Sequence, residues 1–241
     1  MRPWKLCGLL LVGAALLAVA DDEPPATIKQ DKAALAALQS YVGEWKGVGQ
    51  IRRGKRSDGD WAEQAEWAWQ FKDGRAAIVF EADESKYYQS GRIQPGDKTG
   101  EFVLIGTLAD GTSEERFTGT ANDDGKVVFV ADEPAEGRPA QISLRQVADG
   151  ARMLMTYEKR LGKETYSRLA EVGYTRKGSG FGKGNNGPEC VVTGGYGTMT
   201  VEYEGKTYYV CCTGCRDLFN EDPAGVIAEY LERKKQEREE R

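Results

Sequence analysis

The chain has 241 residues, a formal net charge of −5 and an aromatic share of 10%. An acidic chain of this kind lacks the basic face that nucleic-acid binding requires. It contains no histidine, which excludes a Ser-His-Asp triad and a Cys-His nucleophile.

Taken from the start, "MRPWK" is a short basic segment, "LCGLLLVGAALLAVA" an apolar run, and Ala18-Val19-Ala20 a small-residue cleavage site. That is the three-part pattern of a secretory signal peptide. A membrane anchor needs about 20 apolar residues, and this run is shorter and followed at once by Asp21 and Asp22. Residues 1–20 are therefore read as a signal peptide, with Cys7 removed along with it. The mature protein is expected to be exported, periplasmic or extracellular. Loss of Arg2 and Lys5 takes its net charge from −5 to about −7. No later segment is apolar enough to span a membrane.

Residues 21–42 form an acidic lead and then a helix, in which Ile28, Leu35, Leu38 and Val42 recur at three- and four-residue spacing. From Gly43 to Arg176 the period changes to two. "AEWAWQF" sets Trp67, Trp69 and Phe71 against Glu66 and Gln70, and "RMLMTYEK" sets Met153, Met155 and Tyr157 against Arg152, Thr156 and Glu158. Asp73-Gly74, Asp110-Gly111, Asp124-Gly125 and Asp149-Gly150 punctuate the segments with tight-turn dipeptides. About nine or ten strands fit residues 43–176, and consecutive hairpins with one apolar face predict an up-and-down barrel or a sandwich.

The elements "YVGEWKGVGQ" and "RLAEVGYTRK", with Gly43 and Trp45 as a Gly-x-Trp at the first strand, resemble the lipocalin-like (calycin) barrels of bacterial secreted proteins. The resemblance implies a closed antiparallel barrel with an apolar cavity for a small ligand. Some related barrels hold haem through histidine, a ligand this chain lacks. Trp45, Trp61, Trp67, Trp69 and Tyr87 are either core or the lining of such a cavity. Asp123 and Asp124 fall in a turn, and nothing in the barrel marks an active site. The chain is not read as an enzyme, with thiol redox exchange left open.

"KGSGFGKGNNG" (177–187) reads as a flexible linker. Residues 188–232 hold Cys190, Cys211, Cys212 and Cys215, and the segment from Leu9 to Glu189 contains no cysteine. "TMTVEYEGKTYYV" alternates about a Glu204-Gly205 turn, and "CRDLFNEDPAGVIAEY" is helical, restarting at Pro223. The expected unit is a hairpin followed by a helix. Its first loop brings Cys190 to the strand-to-helix corner that carries Cys211 and Cys215, where helix amides favour thiolate. A module this small has little core, so a metal would supply much of its folding energy. The charged run 233–241 is read as a solvated helical tail.

"YEGKTYYVCCTGC" and "LFNEDP" resemble the TRASH/YHS family of small cysteine modules, associated with heavy-metal sensing, transport and resistance. The resemblance implies Cys190, Cys211 and Cys215 as ligands. Where many relatives carry a second early cysteine, this chain has Thr193, leaving Cys212, Glu189, Asp217, water or nothing for a fourth position. Adjacent residues on extended backbone point opposite ways, which favours packing over ligation for Cys212. Soft thiolates select Zn(II) or Cu(I). Two disulfides are the alternative in an exported protein.

The expected fold is thus mainly β: a lipocalin-like up-and-down antiparallel β-barrel followed by a small α+β hairpin-helix metal-binding module. The sequence sets no oligomeric state.

Overall fold

The computed structural model describes residues 27–51, 59–177 and 187–239. The expected signal peptide and nearly all of the glycine-rich linker lie outside these residues. Ten strands, from β1 (Gly43–Gln50) and β2 (Trp61–Lys72) through β9 (Arg152–Arg160) to β10 (Tyr166–Arg176), close into one barrel. Each strand pairs antiparallel with its neighbour in sequence, and β10 returns to β1. The fold is mainly β, as the two-residue period predicts.

The alternation becomes an inside and an outside. Trp45, Trp67 and Trp69 are buried, and Trp67 stacks on Phe80 with ring centroids 4.8 Å apart. These tryptophans are therefore core, whereas Trp61 and Tyr87 are only partly buried. At the hairpin between β2 and β3 (Arg75–Asp83), Asp73 and Gly74 have φ of 52° and 72°, the left-handed pair that a two-residue turn between twisted strands demands. Tyr174 lies across Gly47, where an added Cβ would stand 2.7 Å from the ring. Inside the barrel the buried Glu63 carboxylate accepts hydrogen bonds from Trp61 Nε1 and the Tyr174 hydroxyl.

The N-terminal segment differs from the single helix expected. An α-helix, α1 (Ile28–Ala34), capped reciprocally by Thr27 and Gln30, gives way to a 3₁₀ helix over Ala36–Tyr41. The reason lies in the core. At three residues per turn, Leu35, Leu38 and Tyr41 form one row, and all three are fully buried. Asp31 fastens α1 to the barrel through Arg75 Nε and Nη2, at 2.7 and 2.9 Å, and through the Ala76 N–H at 2.8 Å. The Arg176 guanidinium closes this end by donating to the carbonyls of Ser40, Val42 and Gly150, with Trp45 beneath it at 4.1 Å.

The C-terminal region comprises a hairpin, β11 (Met199–Tyr203) and β12 (Lys206–Val210), then α2 (Thr213–Glu221) and α3 (Pro223–Glu239). It packs directly on the barrel. β1 begins at Gly43, opposite Trp67, so β2 runs on from Ala68 to Lys72 with no strand on that side. The start of α2 covers this edge: an added Cβ on Gly214 would stand 1.7 Å from the Trp69 carbonyl oxygen. One continuous set of buried side chains joins barrel and C-terminal region. The charged run does not stand free, because Arg233 and Lys234 of α3 both pair with Glu189, at 3.0 and 2.7 Å. Among the described residues no helix is long and apolar enough to cross a membrane.

Candidate metal centre

A loop and a strand-to-helix corner converge on one point. Cys190 sits in a tight loop whose ends are tied by Cys190 N–H to the Gly195 carbonyl and Gly194 N–H to the Cys190 carbonyl. Cys211 follows the last residue of β12, and Cys215 lies in the first turn of α2. Their sulfur atoms all lie within 4.8 Å of one another, and all three residues are buried. The Cys211 and Cys215 sulfurs are 3.6 Å apart. Three sulfurs each about 2.3 Å from a shared tetrahedral zinc stand about 3.8 Å apart, so the trio has the dimensions of a thiolate metal site. All four described cysteines are free thiols. A disulfide needs sulfurs about 2.05 Å apart and would consume donors of the trio.

The four thiols share protons unequally. Hydrogen bonds from Cys211 and then Cys215 hold Cys190 well below the usual thiol value. Cys211 is raised, chiefly because it donates to Cys190 and then to Cys212, and Cys215 is raised first by burial. Metal binding must therefore displace protons from Cys211 and Cys215, which couples affinity to pH.

The candidates for a fourth position separate clearly. Glu189 is engaged by Arg233 and Lys234, and Asp217 by Arg216 at 2.8 Å on an exposed helix face. Thr193 itself is near the trio, its hydroxyl 3.5 Å from the Cys211 sulfur. Cys212 stands outside the trio, 3.9 Å from the Cys211 sulfur, and accepts the Trp69 N–H at 3.3 Å. That N–H belongs to the stretch of β2 with no strand on its β1 side, so the Cys212 sulfur satisfies a donor that the end of β1 leaves open.

Several supporting residues carry no local signal in the sequence. Gln39, in the 3₁₀ helix, receives the Trp69 indole N–H at 2.8 Å and directs its amide to the Cys211 sulfur at 4.0 Å. Lys32 of α1 donates to the Val192 carbonyl at 2.8 Å. Arg233 reaches the carbonyls of Cys190 and Val191 at 3.4 Å. Only the low sequence distance of Glu189 from Cys190 hints at the last of these.

A cleft of about 470 Å³ separates the end of the barrel from the hairpin. Cys211 and Cys212 line it together with Glu44, Glu66, Tyr196 and Thr213. Cys190 and Cys215 are not part of its wall.

Fold and site together define a closed ten-stranded antiparallel barrel with a buried cluster of three cysteines, docked at its edge, that can hold a metal ion. Among solved structures, the chain is similar to the crystal structure of Rv2717c from M. tuberculosis, at 14% identity over 60% of this chain and 97% of that one, with a TM-score of 0.37. No family model and no curated protein matches the chain.

Proposed function

We propose that this is an exported metal-binding protein, periplasmic or extracellular, whose Cys190, Cys211 and Cys215 thiolates hold one Zn(II) or Cu(I). The single observation that carries the reading is the convergence of three buried sulfurs within 4.8 Å from the Cys190 loop and the β12–α2 corner. Soft sulfur donors with no carboxylate or imidazole among them favour these two ions over Mg(II) or Ca(II). The TRASH/YHS-like stretches "YEGKTYYVCCTGC" and "LFNEDP" support the same reading. The test is native mass spectrometry with elemental analysis of the protein lacking residues 1–20, purified reduced. About one metal per chain is expected, lost on replacing Cys211 and Cys215 with serine. Metal-free folded protein with its cysteines paired as disulfides would overturn the proposal.

A second reading places function in the barrel, as a carrier of a small ligand. The observation favouring it is Glu63, a buried carboxylate whose hydrogen-bond donors Trp61 and Tyr174 are neutral, beside the partly buried Trp61 and Tyr87. Ligand-dependent tryptophan fluorescence that persists in Trp45- and Trp69-to-Phe protein and is lost on Glu63→Gln would support it.

A further inference from the structure

The trio does not account for Cys212. This fourth thiol is buried, stands 3.9 Å from the Cys211 sulfur, and lies outside the group of three that converge. It is also held differently: a barrel backbone N–H, that of Trp69, points at its sulfur. The cleft adds the decisive asymmetry, because of the four thiols only Cys211 and Cys212 form its wall. A soft ion arriving from solvent through the cleft meets these two sulfurs before it meets Cys190 or Cys215. Glu44 and Glu66 at the same cleft place carboxylates along the approach, and Glu44 is paired with Lys177 while Glu66 is in reach of the Thr213 hydroxyl at 3.4 Å.

From this juxtaposition, and resting on the thiolate-site reading above, we propose that Cys212 is a transfer ligand: it takes the ion from the cleft and passes it through Cys211 into the buried trio. The steps are ligand exchanges without change of oxidation state. A sulfur–metal bond forms at Cys212 as a water bound to the arriving ion leaves to the cleft, along with any proton on the sulfur. A second bond forms at Cys211, whose sulfur is within 4 Å of Cys212 and of Cys215. Bonds to Cys190 and Cys215 then form as the ion's remaining waters and the protons of Cys211 and Cys215 leave to solvent, and the Cys212 bond breaks, leaving the Cys212 sulfur with the Trp69 N–H. Release runs the same path backward, so a single pair of thiols governs exchange in both directions. Cys211 is common to both pairs, which is why Cys212 sits next to it and not beside Cys190.

The experiment uses Zn(II) alone as the probe, with the reduced protein lacking residues 1–20. Wild type and Cys212→Ser are each loaded with one equivalent, and removal of zinc by excess chromogenic chelator is followed in time. The variant is expected to retain one zinc and to exchange it at least about tenfold more slowly, one decade being a modest change in barrier height. A parallel measurement on wild type guards against a folding defect in the variant. In the zinc-loaded protein, alkylation followed by mass mapping is expected to label Cys212 and to spare Cys190, Cys211 and Cys215. Unchanged exchange in the variant overturns the transfer role and leaves the thiolate site standing. Protection of Cys212 along with the other three, or loss of stoichiometric zinc in a folded Cys212→Ser protein, makes it a permanent ligand and likewise overturns the role. Failure of the wild type to retain zinc overturns the thiolate site itself, and the role of Cys212 with it.

Discussion

Thr193 illustrates how one side chain sets the character of the centre. Its hydroxyl stands 3.5 Å from the Cys211 sulfur, so a thiol in its place would lie beside the trio as a fourth donor. Replacing Thr193 with cysteine is expected to raise zinc affinity by at least about tenfold, measured by competition with a chelator of known strength; unchanged affinity would show that the loop cannot present a donor there. Asp31 is the residue-scale counterpart on the barrel. Burial works to raise its pKa, but hydrogen bonds from Arg75 and the Ala76 N–H outweigh it and leave it lowered. A carboxyl whose folded pKa is depressed contributes stability above its unfolded value of about 3.9, and loses it as pH falls through the folded value. Asp31→Asn is expected to cost about 2 kcal/mol at neutral pH, most of it from the charged acceptor opposite a buried N–H, since Arg75 is half exposed and screened. Urea unfolding at neutral pH and again below about pH 3 checks this, because the difference between the two proteins should shrink in acid.

At the scale of elements, the decisive contact is α2 against the unpaired end of β2. Gly214 permits it, since any side chain there would strike the Trp69 carbonyl. Gly214→Ala is therefore expected to lift α2 from the barrel and destabilise the protein by about 2 kcal/mol or more. Hydrogen exchange at the Trp69 amide should quicken as α2 lifts from the β2 edge, and unchanged exchange with full stability would show that α2 can dock without the close approach. The same contact explains why α3 is not a bare solvated tail. Once α2 is seated, Arg233 and Lys234 lie over Glu189 and brace the Cys190 loop from outside.

For the molecule as a whole, barrel and cysteine region share one core, so metal and stability should be linked. Zinc held at about 100 times its dissociation constant adds about 2.7 kcal/mol to the folded state. For a chain of this size that corresponds to roughly 5–10 °C in Tm, and stripping the metal by chelator should reverse it. The pH dependence has a definite sign. Cys211 and Cys215 keep their protons to higher pH than an ordinary thiol and must give them up to bind. Zinc affinity is thus expected to rise by about one decade per pH unit for each proton displaced, about two decades per unit for the pair and about four between about pH 6 and 8. A titration calorimetry series in buffers of different protonation enthalpy reads the proton count directly, and affinity independent of pH would exclude the protonated pair.

Much of this architecture was legible in the sequence because it depends on local chemistry. Period-two alternation in "AEWAWQF" and "RMLMTYEK" states which side chains face inward, and Asp-Gly dipeptides state where the strands turn. A period of two, repeated with short turns, leaves few alternatives to a meandering antiparallel sheet. The spacing of Cys190, Cys211 and Cys215 likewise expresses a loop, a hairpin and a helix start, each set by nearby residues. What only the tertiary structure decided is which groups meet across long stretches of chain. The 3₁₀ turn that buries Leu38 and Tyr41, the Trp69 N–H that meets Cys212, and the Gln39 amide that approaches Cys211 all depend on barrel closure and on β2 outrunning β1. Periodicity records the face a residue presents, but it carries no information about a partner 143 or 172 positions away. That pairing is chosen by the packing of the whole.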